Sequence, residues 1–292
     1  MAKLLSVALA TYNEEANIER CLKSVKDIAD EIIVVDGGSC DKTKKLAEKY
    51  ATKIIITDNP PIFHINKQKA IDQCSGEWIL QLDADEVVST QLADEIKKVI
   101  TANKQELNRY EENLVNRQLF LRHQKLLEER DGPIGTSRGD YVAFFLPRAN
   151  FFLGKYLKYG GVYPDGVIRL FKKGKAWFPC QNVHEQITVK GKVGWLQNNL
   201  IHLADPTFKR YLERNSRYID LIADELKKNK TPKNLRQSIT YFLIKPLHWF
   251  FLTQIRHKGI LDGYQGVIFS FFSALRFPRS YFRYLNKTSL ND

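Results

Sequence analysis

Short apolar runs at residues 4–10, 31–35, 53–56 and 78–82 punctuate the first hundred positions, and the stretches between them, notably 16–26 and 42–50, carry helical patterning. Strand-like runs alternating with helical ones predict a parallel sheet with right-handed crossovers, hence a Rossmann-like α/β region. A polar cluster follows each of three runs: Thr11-Tyr12-Asn13-Glu14-Glu15, Asp36-Gly37-Gly38-Ser39 and Asp83-Ala84-Asp85. All three are therefore expected along one edge of the sheet, the carboxyl edge at which open α/β folds bind their ligands. Asp83 and Asp85 there would offer hard oxygens to a divalent cation gripping a diphosphate.

Beyond Val88 the period changes. Leu92, Ile96, Val99 and Ile100 repeat at helical spacing, and 102–130 is rich in Glu, Arg, Asn and Gln with scattered leucines such as Leu119, Leu121 and Leu126. Residues 102–135 are read as a polar helical insertion, a solvated hairpin or lid, ended by Asp131-Gly132-Pro133-Ile134-Gly135. Strand-like pieces return at 141–146, 167–171, 176–178, 185–189 and 194–196, expected as a small mixed or antiparallel extension, and 207–228 is again helical.

Composition sharpens the class. At 292 residues and 43% hydrophobic, the chain can bury a full core and is neither disordered nor fibrous. Cys21, Cys40, Cys74 and Cys180 are scattered without a Cys-x-x-Cys pair, which suggests no zinc site or disulfide framework and fits a reducing cytoplasm. The start faintly imitates a signal peptide, but its apolar stretch is at the short limit for one and 4–10 is needed as the first strand.

The net charge of +12 is concentrated. Residues 226–291 hold twelve Lys/Arg against one acid, Asp262, and 238–285 hold thirteen aromatics. The longest nearly uncharged run there, 263–275, falls well short of the roughly 20 residues a spanning helix needs. A basic, aromatic, amphipathic segment of this kind is expected to lie in an anionic membrane surface through 237–285, and its apolar runs suit lipid better than nucleic acid. The expected organisation is an α/β domain over 1–225 followed by a membrane-associating helical segment over 226–292.

Three motifs carry a resemblance. Val7-Ala8-Leu9-Ala10-Thr11-Tyr12-Asn13-Glu14-Glu15, Ile33-Val34-Val35-Asp36-Gly37-Gly38-Ser39 with Asp41-Lys42-Thr43, and Gly76-Glu77-Trp78-Ile79-Leu80-Gln81-Leu82-Asp83-Ala84-Asp85-Glu86 resemble, in order and spacing, family 2 glycosyltransferases of the GT-A fold. Further on, Gly161-Val162-Tyr163-Pro164-Asp165, Arg169-Leu170-Phe171, Val183-His184-Glu185 and His202 resemble the subgroup that includes glucosyltransferases of the lipopolysaccharide inner core.

The resemblance implies a GT-A nucleotide-sugar-binding domain with a C-terminal amphipathic helical appendage. It implies a metal-dependent, inverting transfer from a nucleotide sugar, UDP-linked by expectation, to a lipid-linked saccharide at the inner face of the cell membrane. Thr11, Asn13 and Glu14 would hold base and ribose, with Asn13 also placed to cap the following helix. Asp36 would accept hydrogen bonds from base or ribose. Asp83 would approach ribose or metal, Asp85 would ligate Mg²⁺ or Mn²⁺ directly, and His202 could complete the metal shell. Lys67 or Lys69 could add a positive charge near the diphosphate. Glu185 is the candidate base for the acceptor hydroxyl, with Asp165 as runner-up, although Pro164-Asp165-Gly166 is also ordinary turn chemistry. Residues 148–161, with Phe151, Phe152, Tyr156 and Tyr159 among Arg148, Lys155 and Lys158, could form an acceptor wall. Two other readings remain: a non-catalytic membrane-binding module on a GT-A fold, and a nucleotidyltransferase, for which the Gly-rich basic loop after the first strand is missing.

Overall fold

The computed structural model describes residues 3–181, 186–205 and 207–287. It divides into two compact units, one formed by Met1–Ala149 and Pro164–His202, the other by Asn150–Tyr163 and Leu203–Asp292. The division does not fall at the expected 225/226. The helix at Phe208–Lys228 belongs with the C-terminal helices because Ala223 and Leu226 share a buried cluster with Tyr241, Tyr281 and Tyr284.

The first unit opens with β1 (Leu5–Thr11), α1 (Ile18–Val25), β2 (Glu31–Asp36), α2 (Thr43–Ala47), β3 (Lys53–Ile56), α3 (His64–Asp72) and β4 (Trp78–Leu82). β1 pairs in parallel with both β2 and β4, and β2 with β3, so the expected parallel half-sheet is present. Side chains of a strand alternate between faces, and the core shows it. Leu5, Val7 and Leu9 pack on one side with Ile18, Leu22 and Val25, while Ala8, Ile33, Val35 and Ile79 pack on the other with Ala70 and Ile71.

β5 (Glu86–Val88) and α4 (Thr90–Thr101) follow, the helix capped by Ser89 and burying the four apolar positions read from its period. α5 (Lys104–Glu112) and α6 (Arg117–Asp131) form the polar insertion. The pair does not stand free in solvent: Leu107 and Phe120 are buried, and Phe120 stacks on Trp195 at 4.6 Å between ring centroids. Leu114 is also buried whereas Leu119, Leu121 and Leu126 remain exposed, so the anchor is Phe120 with some of the leucines and not others.

β6 (Thr136–Phe152), β7 (Lys155–Tyr156), β8 (Gly166–Lys172), β9 (Ala176–Trp177), β10 (Thr188–Val189), β11 (Lys192–Trp195) and β12 (Leu200–Asp205) supply the later strands. The main sheet has the order β3-β2-β1-β4-β8-β6-β12-β5, with β8 antiparallel to both β4 and β6. This is the mixed extension expected from the shorter apolar pieces, although β6 is much longer than the piece at 141–146 suggested.

The second unit is mainly helical: α7 (Phe208–Lys228), α8 (Leu235–Ile239), a π-helical turn at Thr240–Ile244, α9 (Lys245–Phe251), a second π-helical turn at Leu252–Arg256, a 3₁₀ turn at Gly259–Asp262, α10 (Tyr264–Ala274) and α11 (Arg276–Lys287). Asp262, the lone acid of the basic segment, is buried and accepts hydrogen bonds from the backbone N–H groups of Lys158 and Tyr159. Among the described residues no helix is long and apolar enough to cross a membrane.

Candidate active site

The first two polar clusters meet and interlock. Asn13 takes a positive φ of 53°, its backbone N–H donates to Ser39 Oγ at 2.8 Å, and its Oδ1 accepts from Cys40 N–H at 2.9 Å. Glu14 N–H donates to Thr43 Oγ1 at 2.7 Å, and Glu15 carries the same stitching to Asp41 and Lys42. Asn13 therefore joins two loops instead of capping α1, whose capping position is Asn17. Asp36 turns into its own loop: Oδ1 accepts from Gly38 and Ser39 N–H, and Oδ2 accepts from Ser39 Oγ. Gly38 sits at φ 82°, which a side chain would strain. Asp36 thus shapes the floor of the site, with both oxygens already engaged. Thr11 differs, because its Oγ1 is buried at the end of β1 and meets no partner among the described residues.

The third cluster is a chain of alternating charges. Lys67 Nζ lies 2.5 Å from Asp83 Oδ1, Arg169 Nη2 lies 2.5 Å from Asp83 Oδ2 and 2.7 Å from Glu86 Oε1, and Arg148 reaches Glu86 Oε1 at 3.6 Å and Asp165 Oδ2 at 2.9 Å. Arg169 also donates to Gln81 Oε1, and Glu86 Oε2 accepts from Asp83 N–H. Burial opposes the charge on Asp83, but Arg169 and Lys67 overwhelm it and hold the carboxyl well below its ordinary range. Burial pulls the Lys67 ammonium below its usual pKa, with Asp83 resisting. Removing such charges from water is costly unless each is paired, and here each is.

The arrangement bears on two of the expected residues. Lys67, not Lys69, belongs to the site; Lys69 is exposed and donates to Thr57. Asp83 has both oxygens engaged by cations in this arrangement. Among the described residues no group of three His, Cys, Asp or Glu comes together as a metal cage. What does come together is Asp85 and His202, with Nε2 3.6 Å from Oδ2, because β12 pairs antiparallel with β5 and sets His202 opposite Glu86. Burial raises the Asp85 pKa, but His202 more than offsets it and the carboxyl lies below its ordinary value. One carboxylate and one imidazole at a sheet edge are a donor set that fits Mn²⁺ or Mg²⁺ held jointly with phosphate oxygens, the usual mode for such ions.

Asp165 is in the first unit at a φ of 41° and ion-paired to Arg148. Glu185 lies outside the described residues. Beside Asp165, Gly166 N–H donates to His123 Nε2 of α6 at 3.1 Å, and a Cβ at Gly166 would meet Trp195 Cη2 at 2.2 Å, so the close approach requires glycine. Of the suggested acceptor wall, Phe152 is buried and Lys155 is bound to the Asp262 carbonyl, leaving Tyr156 and Tyr159 exposed.

Arg169 and Glu86 had no assigned role in the sequence, and Arg148 was expected in an acceptor wall rather than in this charge chain. A signal was present: an arginine inside Val167-Ile168-Arg169-Leu170-Phe171 must find a partner if the run is buried.

A parallel half-sheet carrying interlocked loops and a charged carboxyl edge, extended by antiparallel strands and a helical region, defines a GT-A-type α/β protein. The chain belongs to glycosyl transferase family 2, whose model matches residues 6–153, half of the sequence. An uncharacterised glycosyltransferase of Rickettsia bellii (strain RML369-C) is 39% identical over 107 residues, 36% of this chain and 36% of that protein. The matched region thus spans about a third of the length of such curated relatives. The lipopolysaccharide core biosynthesis glycosyltransferase LpsC of Rhizobium meliloti (strain 1021) is 24% identical over 93% of this chain and 91% of its own. Among solved structures, Staphylococcus aureus TarS overlaps 93% of this chain and 54% of its own at 13% identity and a TM-score of 0.41. Glucosyl-3-phosphoglycerate synthase of Mycobacterium tuberculosis, crystallised with Mn²⁺, UDP and glucosyl-3-phosphoglycerate, overlaps 29% of this chain and 34% of its own at 26% identity and a TM-score of 0.27.

Proposed function

We propose that the chain transfers a sugar, with inversion, from a UDP-linked donor to a lipid-linked saccharide such as a lipopolysaccharide core or a polyprenyl-linked glycan, at the inner face of the cell membrane. The observation that carries this reading is the convergence of the unpartnered Thr11 hydroxyl and the interlocked 11–15 and 36–43 loops with the Asp83 charge chain and the Asp85–His202 pair, all in the family-matched unit. Thr11, Asn13 and Glu14 bind base and ribose from the two-loop floor that Asp36 supports. Lys67 and Arg169 neutralise Asp83 and keep it in register with Asp85. Asp85 and His202 hold Mg²⁺ or Mn²⁺, which supplies charge neutralisation for the departing diphosphate. Glu185 takes the acceptor proton; Asp165, ion-paired with Arg148, is the alternative base.

A surface feature of the helical unit supports the membrane part. Ile239, Leu243, Leu247, Phe251 and Ile255 are each exposed and spaced four apart. In a plain α-helix of about 3.6 residues per turn such a row drifts around the axis. The wider π turns at Thr240–Ile244 and Leu252–Arg256 turn it back, leaving one apolar line beside exposed Arg236, Arg256 and Lys258. An apolar line with cations at its ends suits an anionic lipid surface.

Calorimetry of the full chain with UDP tests the site. Binding should require Mn²⁺ and disappear in Asp85→Asn; Mn²⁺-independent binding, or binding unchanged by that substitution, refutes the metal assignment. Glu185→Gln should bind donor and lose transfer, and retained turnover would move the base to Asp165.

A further inference from the structure

The helical unit contains a cavity of about 210 Å³ that the proposed transfer does not use. Tyr211, Arg214 and Tyr218 of α7 line it together with Phe269 and Ser273 of α10 and Arg276 of α11.

Its two arginines differ. Arg214 is paired with the buried Asp205. Arg276 has its guanidinium carbon 4.2 Å from the Trp249 ring centroid and 4.8 Å from that of Phe277. Both rings hold the guanidinium by cation–π contact, which leaves its N–H groups to find an acceptor elsewhere. Among the described residues no carboxylate pairs with it and no acceptor receives its N–H groups. Burial pulls the Arg276 pKa below its ordinary value, with Tyr211 acting in the opposite direction. Two guanidinium groups line the cavity, and with Arg214 taken by Asp205 the charge of Arg276 is left without a counter-charge.

A guanidinium without a counter-charge offers paired N–H donors that match the paired oxygens of a phosphate. The rest of the wall is mainly the apolar surface of Phe269, Ile222 and the Tyr211 ring, with Asn215 and Ser273 as polar members. A partly buried cation without a counter-charge is expensive to maintain, which is what a site for an anion requires before it is filled. We propose that Arg276 anchors a second site in this chain, for the phosphate of an amphipathic phosphomonoester whose alkyl chain lies along Phe269 and Ile222. The site is independent of the nucleotide-sugar reading, since none of its residues belongs to the other unit.

The full-length protein is titrated with decyl phosphate below its micelle concentration and, separately, with inorganic phosphate, followed by calorimetry and by tryptophan emission. Decyl phosphate should bind at one site and at least tenfold more tightly than inorganic phosphate. Arg276→Met, checked for folding by circular dichroism, should lose at least tenfold in affinity, and Arg276→Lys, which keeps the charge and loses the paired donors, should fall between. Lys209→Gln, an exposed cation outside the cavity, should bind as the wild type does. Equal affinity in the wild type and in either folded Arg276 variant overturns the proposal, as does the absence of saturable binding. Inorganic phosphate binding as tightly as decyl phosphate would overturn the amphipathic ligand in favour of a free-phosphate site.

Discussion

Arg169 Nη2 stands 2.5 Å from Asp83 Oδ2, reaching it from β8 because that strand runs antiparallel beside β4, with Leu170 opposite Leu80. The same nitrogen donates to Glu86, which is wholly buried. Arg169→Met would leave a buried carboxylate short of its main counter-charge and should cost about 3–5 kcal/mol in urea unfolding. Adding Glu86→Gln to that variant should cost less than the same change does in the wild type, with a coupling of about 1–3 kcal/mol. Additive losses would show that the two do not act as a pair.

Thr11→Val should separate stability from ligand binding. The buried hydroxyl has no partner among the described residues, so removing it should leave folding unchanged or improve it by up to about 1 kcal/mol. UDP affinity should drop about tenfold, the worth of one hydrogen bond. Calorimetry and thermal melts on the same sample check both halves.

Glu31 should govern acid stability. Burial works against its ionisation, but hydrogen bonds from Lys3, Ser6 and Ser75 outweigh burial and bring its pKa from 4.5 down to about 2. A folded pKa below the unfolded one gives stability that is present above pH 4.5 and lost as pH falls toward 2. Glu31→Gln should flatten that part of the profile and cost about 2–3 kcal/mol at neutral pH.

Glu111 should act in the opposite direction. Burial raises its pKa to about 7 against the donated N–H of Trp195. With the folded pKa above the unfolded one, stability is full below pH 4.5 and declines as pH climbs through 7. Glu111→Gln should remove the decline, read as a melting temperature that no longer falls between pH 5 and pH 8.

Replacing Leu247 and Phe251 by Glu should release the protein from anionic liposomes in sedimentation while leaving Mn²⁺-dependent UDP binding intact. Both side chains are exposed, so the fold should lose less than about 1 kcal/mol. Unchanged co-sedimentation would remove this line of residues as the lipid contact.

The sequence by itself determined the parallel half-sheet, because short continuous apolar runs separated by helical stretches specify strands buried on both faces, and the clusters after β1, β2 and β4 must then share an edge. It also determined α4, whose four buried positions follow its period, and the basic aromatic character of 238–285. Tertiary structure decided which charges meet. Lys67, Asp83, Arg169, Glu86, Arg148 and Asp165 come from five separate stretches of chain, and nothing local dictates that Asp83 be neutralised while Asp85 faces His202. That outcome depends on the β12–β5 and β8–β4 pairings, whose register joins residues more than eighty positions apart. The anchoring of the polar helices through Phe120 and Trp195, and the return of the apolar row by two π turns, were hidden for the same reason. Each depends on where a side chain finds its partner in space, and residue type alone carries no record of that.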